Sequence, residues 1–329
     1  MTRTAHALDA WDWFRKRTYH HSRFGDPAAL VRAKEERALS VSVCLPTRNE
    51  GDTVGAIVTA VGRDLIQDCP LVDEVVVVDA ASTDGTADRA SEAGAVVYQE
   101  ADIVPDLEPL GGKGDALWKS LFVTKGDLIV FVDSDIREFN TRFVTGLLGP
   151  LLVEEGVHYV KAFYERPLRE GEELLPTGGG RVTELVARPF LNLFFPELSA
   201  VIQPLAGEYA GTREMLESVP FFSGYGVEIG LLIDVVEQRG LDALAQVDVD
   251  SRIHRNQSMR ELSRMSSGVL QAGIRRLAST DRIDMRTQIS HVMHQFRNVG
   301  GGYEPETTTI RVVERPPAVT VPGYRPGGA

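Results

Sequence analysis

Residues 128–136 read Leu-Ile-Val-Phe-Val-Asp-Ser-Asp-Ile, an apolar run that stops at Asp133-Ser134-Asp135. A short unbroken apolar run closed by acids fits a strand buried on both faces. Working outward, residues 40–45 form a second such run, closed by Pro46, and residues 74–78 a third, closed by Asp79. The pattern between them predicts helices over 52–64, 87–93 and 111–122, with a short strand at 95–98. Strands alternating with helices predict an α/β fold, a mostly parallel Rossmann-like sheet flanked by helices. Ligands of such sheets bind beyond the carboxyl ends of the strands. Pro46, Asp79 and Asp133–Asp135 should therefore meet in space. Side chains two apart on a strand point the same way, so Asp133 and Asp135 should converge and call for a cation between them.

Past residue 150 the pattern changes. Strands are expected at 157–164 and 244–249, and helices at 226–239 and 258–278. A glycine-rich turn, TGGGRVTELVARP at 177–189, enters another helix. Beyond Arg297 proline and glycine predict an extended arm with a loose end. The chain has 329 residues and a net charge of −12, from 35 basic and 47 acidic residues. That balance argues against affinity for nucleic acid or an anionic membrane, so an anionic substrate needs a local basic pocket. Two cysteines, Cys44 and Cys69, imply neither a disulfide framework nor a cysteine zinc site. No apolar run is long enough to span a bilayer and the first residues lack a signal-peptide core, so a cytoplasmic protein is expected.

Several segments carry chemistry. Carboxylate oxygens at Asp133 and Asp135 suit Mg²⁺ or Mn²⁺ carrying a diphosphate. Pro46-Thr47-Arg48-Asn49-Glu50 can offer backbone groups and Glu50 to a nucleotide. Asp79 is the ligand-facing candidate of its loop, while Thr83 or Asp84 caps the next helix. Three glycines around Lys113 leave backbone and ammonium free to approach phosphate. Gly178, Gly179, Gly180, Arg181, Val182 and Thr183 open a helix and make an anion site. His254 can ligate a metal, with Arg252, Arg255 and Asn256 available to phosphate or carboxylate. Met215, Met259 and Met265 read as core filling.

Taken in order, PTRNE at 46–50, VVVDAASTDGT at 76–86, GGKGDALW at 111–118, FVDSDI at 131–136, GGGRVTELVARP at 178–189, YGVEIGLLID at 225–234 and RIHRN at 252–256 resemble the retaining hexosyl-3-phosphoglycerate synthases of actinobacterial type. These are glycosyltransferases of GT-A fold, and the resemblance runs from about residue 38 to 257. It implies a nucleotide-sugar-binding half at 39–150 after an N-terminal extension at 1–38. A helical acceptor-binding half at 151–296 and the arm at 297–329 follow. By resemblance, Pro46, Thr47, Arg48, Asn49 and Glu50 line the nucleotide pocket, and Lys113 holds the donor. Asp133 and Ser134 contact the nucleoside, and Asp135 binds Mg²⁺ or Mn²⁺ with His254. Gly180, Arg181, Val182, Thr183 and Asn256 hold 3-phosphoglycerate. Tyr225 and Glu228 border the hexose, while Arg252 and Arg255 flank the diphosphate. Asp135, Glu228 and Lys113 are the expected catalytic groups. Thr47-Arg48 replaces a small apolar pair of the glucosyl-specific pattern, and Ala80 replaces a serine. These departures favour GDP-mannose, with GDP- or UDP-glucose as further donors, over strict UDP-glucose use. The alternatives are a UDP-glucose-dependent glucosyl enzyme, a polyprenyl-phosphate glycosyltransferase, a nucleotidyltransferase or a silent binding module. A homodimer is expected.

Overall fold

Valine and isoleucine dominate the central runs, and β-branched side chains suit a pleated surface packed on both faces. The fold comes from a computed structural model describing residues 2–166, 168–170, 173–175, 180–252 and 257–325. Its strands are β1 (Thr18–His20), β2 (Val41–Thr47), β3 (Glu74–Asp79), β4 (Val96–Gln99), β5 (Leu128–Phe131), β6 (Tyr159–Glu165), β7 (Tyr209–Thr212) and β8 (Leu244–Ser251). They form one sheet in the order β1-β8-β6-β7-β5-β2-β3-β4. Every neighbouring pair is parallel except those made by β7, which is antiparallel to both β5 and β6. The mostly parallel expectation holds; β7 was not foreseen.

Alternation along β5 divides the core. Ile129 and Phe131 join the buried cluster on one face of the sheet, and Leu128, Val130 and Val132 join the other. The chain runs outward through β2, β3 and β4, then returns to the opposite side of β2 as β5. That reversal opens a crevice beyond the carboxyl ends of β2 and β5, where doubly wound sheets bind ligands. Because β7 runs the other way, its amino end, Gly207-Glu208, reaches the same rim.

Over 298–325 the segment expected as an extended arm is held by strand pairing, while the expected loose end at 326–329 lies outside the described residues. Val292–Asn298 and Tyr303–Thr309 pair as an antiparallel hairpin. Glu314–Arg315 then pairs with Phe221–Phe222, and Val312, Arg315 and Ala318 are buried. Among the described residues, no helix is long and apolar enough to cross a membrane.

Candidate active site

A cavity of about 460 Å³ opens at the crevice. Its walls gather most of the expected residues: Pro46 and Thr47 at the end of β2, Arg48 and Glu50 just after it, and Lys113 at the start of helix Lys113–Ser120. Asp133, Ser134 and Asp135 follow β5; Gly180, Arg181, Val182 and Thr183 face from the other half, with Tyr225, Glu228 and Arg252 between. His254, Arg255 and Asn256, together with Gly178 and Gly179, lie outside the described residues.

The acidic pair needs a correction. β5 ends at Phe131, so Asp133 and Asp135 sit in the following turn rather than on the strand. They still converge, on Arg252. Its guanidinium donates to Asp133 Oδ2 at 3.0 Å, to Asp135 and to the wholly buried Glu208. Tyr164 Oη donates to the other oxygen of Glu208 at 2.7 Å. Lys113 bridges the opposite side, bonded to Asp133 and 3.1 Å from Glu228 Oε1. Ser134 Oγ donates to the Pro46 carbonyl at 2.9 Å, tying the acidic turn to the end of β2.

At Lys113, Asp133 and Glu208 burial opposes the charged form, and its balance with ion pairing differs among the three. Burial pulls the Lys113 ammonium down, but Asp133 and Glu228 outweigh it and hold it above its ordinary value. Burial pushes Asp133 up, yet Lys113 and Arg252 hold it below the usual carboxylate range. Glu208 goes the other way, because its burial outweighs Arg252. Lys161, behind the Glu208 turn, is pulled down to about 7 by burial, with Glu228 opposing. Its ammonium donates to the Ala206 carbonyl at 2.6 Å.

Across the cavity Gly180 takes a left-handed φ of 77° and precedes a π-turn, Thr183–Ala187, that continues into helix Arg188–Phe194. Wide π-turns of this kind, set within a helix, recur at functional sites. Arg181 donates to the Gln257 carbonyl at 3.2 Å, and Arg166 approaches Tyr164 Oη at 3.2 Å. A helix start flanked by two guanidiniums suits a phosphate or carboxylate.

Two expected ligand-facing residues do not line the cavity. Asp79 is buried and accepts from Ser82 N at 3.1 Å, Ser82 Oγ and Thr47 Oγ1, so it holds its own turn together. Asn49 Oδ1 accepts from Thr83 N at 2.9 Å, joining the two loops. Met259 is exposed rather than core, and Met265 lines the cavity. Glu208, Lys161, Arg166 and Gly207 escaped the sequence reading. The only signal for Glu208 was an acid set in the otherwise apolar stretch LAGEYAG.

Residues 42–172 match the family model described as Glycosyl transferase family 2. A glucosyl-3-phosphoglycerate synthase of Petrotoga mobilis is 46% identical over 312 residues, 94% of this chain and 95% of its own. The solved mannosyl-3-phosphoglycerate synthase of Rubrobacter xylanophilus is 43% identical, with a TM-score of 0.86 covering 94% of this chain and 96% of that one. The glucosyl-3-phosphoglycerate synthase of Mycobacterium tuberculosis, solved with Mn²⁺, UDP and glucosyl-3-phosphoglycerate, is 42% identical. Its TM-score is 0.75, covering 89% of this chain and 94% of that one. The same enzyme, solved with Mg²⁺ and UDP, gives a TM-score of 0.77, covering 92% of this chain and 98% of that one, at 42% identity.

Proposed function

The chain belongs to the hexosyl-3-phosphoglycerate synthases, retaining glycosyltransferases of GT-A fold, and on that premise we propose that it moves mannose from GDP-mannose to the 2-hydroxyl of 3-phosphoglycerate. The observation that carries this reading is one shared cavity, lined by Lys113, Asp133 and Asp135 together with Gly180–Thr183. One side suits a nucleotide diphosphate and the other an anionic acceptor. Arg48 and Ala80 both line the nucleotide end. Alanine leaves room for a purine, and a guanidinium matches the paired O6 and N7 acceptors of guanine. A second reading, glucose transfer from UDP-glucose, is favoured by the glucosyl name of the Petrotoga relative and by the Mycobacterium tuberculosis enzyme solved with UDP-glucose.

Mg²⁺ or Mn²⁺ fits the charge of the site. Asp133, Asp135, Glu208 and Glu228 are in contact with two cations, Lys113 and Arg252. Four carboxylates against two cations leave room for a divalent ion. Asp135, the most exposed of the four, would hold it, with His254 as the second candidate. When bound, the ion stabilises charge growing on the leaving nucleoside diphosphate.

The chain's own groups do the rest. Lys113 neutralises the donor phosphates and is held in place by Asp133 and Glu228. Arg181, Thr183 and the helix start anchor the acceptor and aim its 2-hydroxyl at the anomeric carbon. The acceptor oxygen bonds to that carbon as the bond to the diphosphate breaks on the same face. The hydroxyl proton passes to the departing phosphate oxygen. Glu228 is engaged by Lys113, which suits an electrostatic role better than a nucleophilic one. Initial rates with 3-phosphoglycerate and each of GDP-mannose, GDP-glucose and UDP-glucose test the donor. GDP-mannose should give the highest kcat/KM, and Arg48→Ala should lower guanosine-donor turnover more than uridine-donor turnover. A clear preference for UDP-glucose would establish the second reading instead.

A further inference from the structure

At the carboxyl rim of the sheet, outside the cavity walls, two imidazoles meet one carboxylate. His20 ends β1, His21 begins the short turn His21–Phe24, and Asp250 lies near the end of β8. His20 Nε2 is 3.0 Å from Asp250 Oδ1, and His21 Nε2 is 2.8 Å from Asp250 Oδ2. Consecutive strand residues would point to opposite faces. Here the turn after His20 brings both rings to the same side, with centroids 4.4 Å apart. On the other element, β8 loses its regular register between Asp248 and Ser251. Asp250 there takes a left-handed φ of 67°, and its N–H donates to Asp248 Oδ1 at 2.9 Å. A non-glycine residue in that region costs energy and persists where the surroundings enforce it, often at functional positions.

We propose that His20, His21 and Asp250 form a second metal site, for a borderline transition ion of the Zn²⁺ class, distinct from the catalytic Mg²⁺ or Mn²⁺ site. All candidate ligand atoms lie within 4.8 Å of one another. Atoms bound to one ion at about 2.1 Å stand roughly 3.0–3.4 Å apart, so the two His–Asp pairs, at 3.0 and 2.8 Å, open slightly while any pair near the 4.8 Å bound draws in. Two imidazoles and a carboxylate leave coordination positions for water, and nitrogen donors favour Zn²⁺ over Mg²⁺. The side chains of His20 and Asp250 are half exposed, so a hydrated ion can reach them. His20 Nδ1 accepts from Ser22 N at 3.3 Å and lies 2.7 Å from Ser22 Oγ, which fixes the ring; its proton is then on Nε2, toward Asp250, and leaves when an ion binds there. Arg142 Nε approaches Asp250 Oδ2 at 3.5 Å while donating to the Val249 carbonyl at 2.8 Å. It orients the carboxylate from behind. The ion would pin β1 to the end of β8, two residues before Arg252.

The test uses the full chain, stripped with chelator and carrying Asp135→Ala to disable the catalytic site. Zn²⁺ should bind at one per chain by calorimetry and raise Tm, and millimolar Mg²⁺ should not displace it. Co²⁺ should give the visible bands of a nitrogen-ligated ion rather than those of the aquo ion. Adding His21→Gln or Asp250→Asn should weaken Zn²⁺ by at least about 100-fold, since even outer partners of a ligand are worth about 10- to 100-fold. The Co²⁺ spectrum needs no second variant, so poor folding of one would not blunt the test. Absence of Zn²⁺ binding, an aquo-like Co²⁺ spectrum, or binding indifferent to His21→Gln and Asp250→Asn would each overturn the proposal. The cluster would then be an ion pair holding the N-terminal segment.

Discussion

Replacing Arg252 with methionine should cost about 3–5 kcal/mol of stability, the usual result of stripping one partner from a buried ion cluster. Arg252 is buried, so solvent does not screen the loss. Its contact with Asp135 contributes little, because that carboxylate is 39% exposed. The weight falls on Glu208, which is fully buried and left with Tyr164 as its remaining named donor. A chain of 329 residues has an unfolding entropy of about 0.7 kcal/mol per kelvin, so Tm should fall by about 4–7 °C. The loss should also depend on pH. Burial already holds Glu208 above its ordinary value, and removing Arg252 raises it further. A carboxyl raised in the folded state binds more protons there than in the unfolded chain, so its contribution is lost as pH rises from about 4.3 upward. The gap between wild type and variant should therefore widen from pH 5 to pH 8. Glu208→Gln in the Arg252→Met background should recover at least half of it, because a neutral amide does not require a counter-charge. Thermal unfolding at both pH values measures all of this. A loss under about 1 kcal/mol, or a gap that narrows with pH, would refute the assignment of Arg252 as the counter-ion of Glu208.

Three further outcomes follow from the same geometry. A Cβ on Gly207 would collide with the Asp133 carboxylate and with Lys113 Nζ, so Gly207→Ala should lower kcat/KM on the order of 100-fold while Tm falls by only a few degrees. Steady-state kinetics beside a melting curve separates the two effects. Arg315 donates to buried Asp115 at 2.7 Å, and Asp115 accepts from the backbone N–H of Leu110 and Gly111, just ahead of Lys113. Arg315→Met should therefore raise the donor KM with the acceptor KM unchanged, and equal rises in both would refute a role of the Arg315–Asp115 pair in placing Lys113. Arg181→Ala should raise the 3-phosphoglycerate KM on the order of 100-fold, the value of a lost charge-assisted pair, and leave the donor KM alone.

The strands were legible because burial on both faces leaves a contiguous apolar run, as at Val75–Val78 and Leu128–Val132. The rim was legible because parallel strands place their carboxyl ends together. What failed had three causes: a local turn signal passed over, a strand too short to show a pattern, and a partner distant in sequence. Asp79 stands at a strand end like Asp133, yet Ser82, three residues on, satisfies it; the turn AASTDGT held that signal. Strand β7 is four residues long and contains a glycine, too little pattern to announce itself. Proline and glycine after Arg297 suggested looseness, whereas Arg315 is fixed by an acid 200 positions away.

The missed strand matters most for the chemistry. Between β5 and β6 a parallel strand would bring its carboxyl end, Thr212, to the cavity rim. Reversal brings its amino end instead, and with it Glu208 and Gly207. Gly207 lets Lys113 and Asp133 close against the backbone, since any side chain there would hold them apart. Glu208 anchors Arg252 from beneath, which lets one guanidinium reach both Asp133 and Asp135. The acidic pair thus already shares a cation supplied by the chain. A divalent ion held at Asp135, as proposed, would have to share that carboxylate with Arg252 or displace it, while Glu208 keeps the guanidinium in place. Glu208→Gln should accordingly weaken activation by Mg²⁺ through a misplaced Arg252, although Glu208 need never touch the ion.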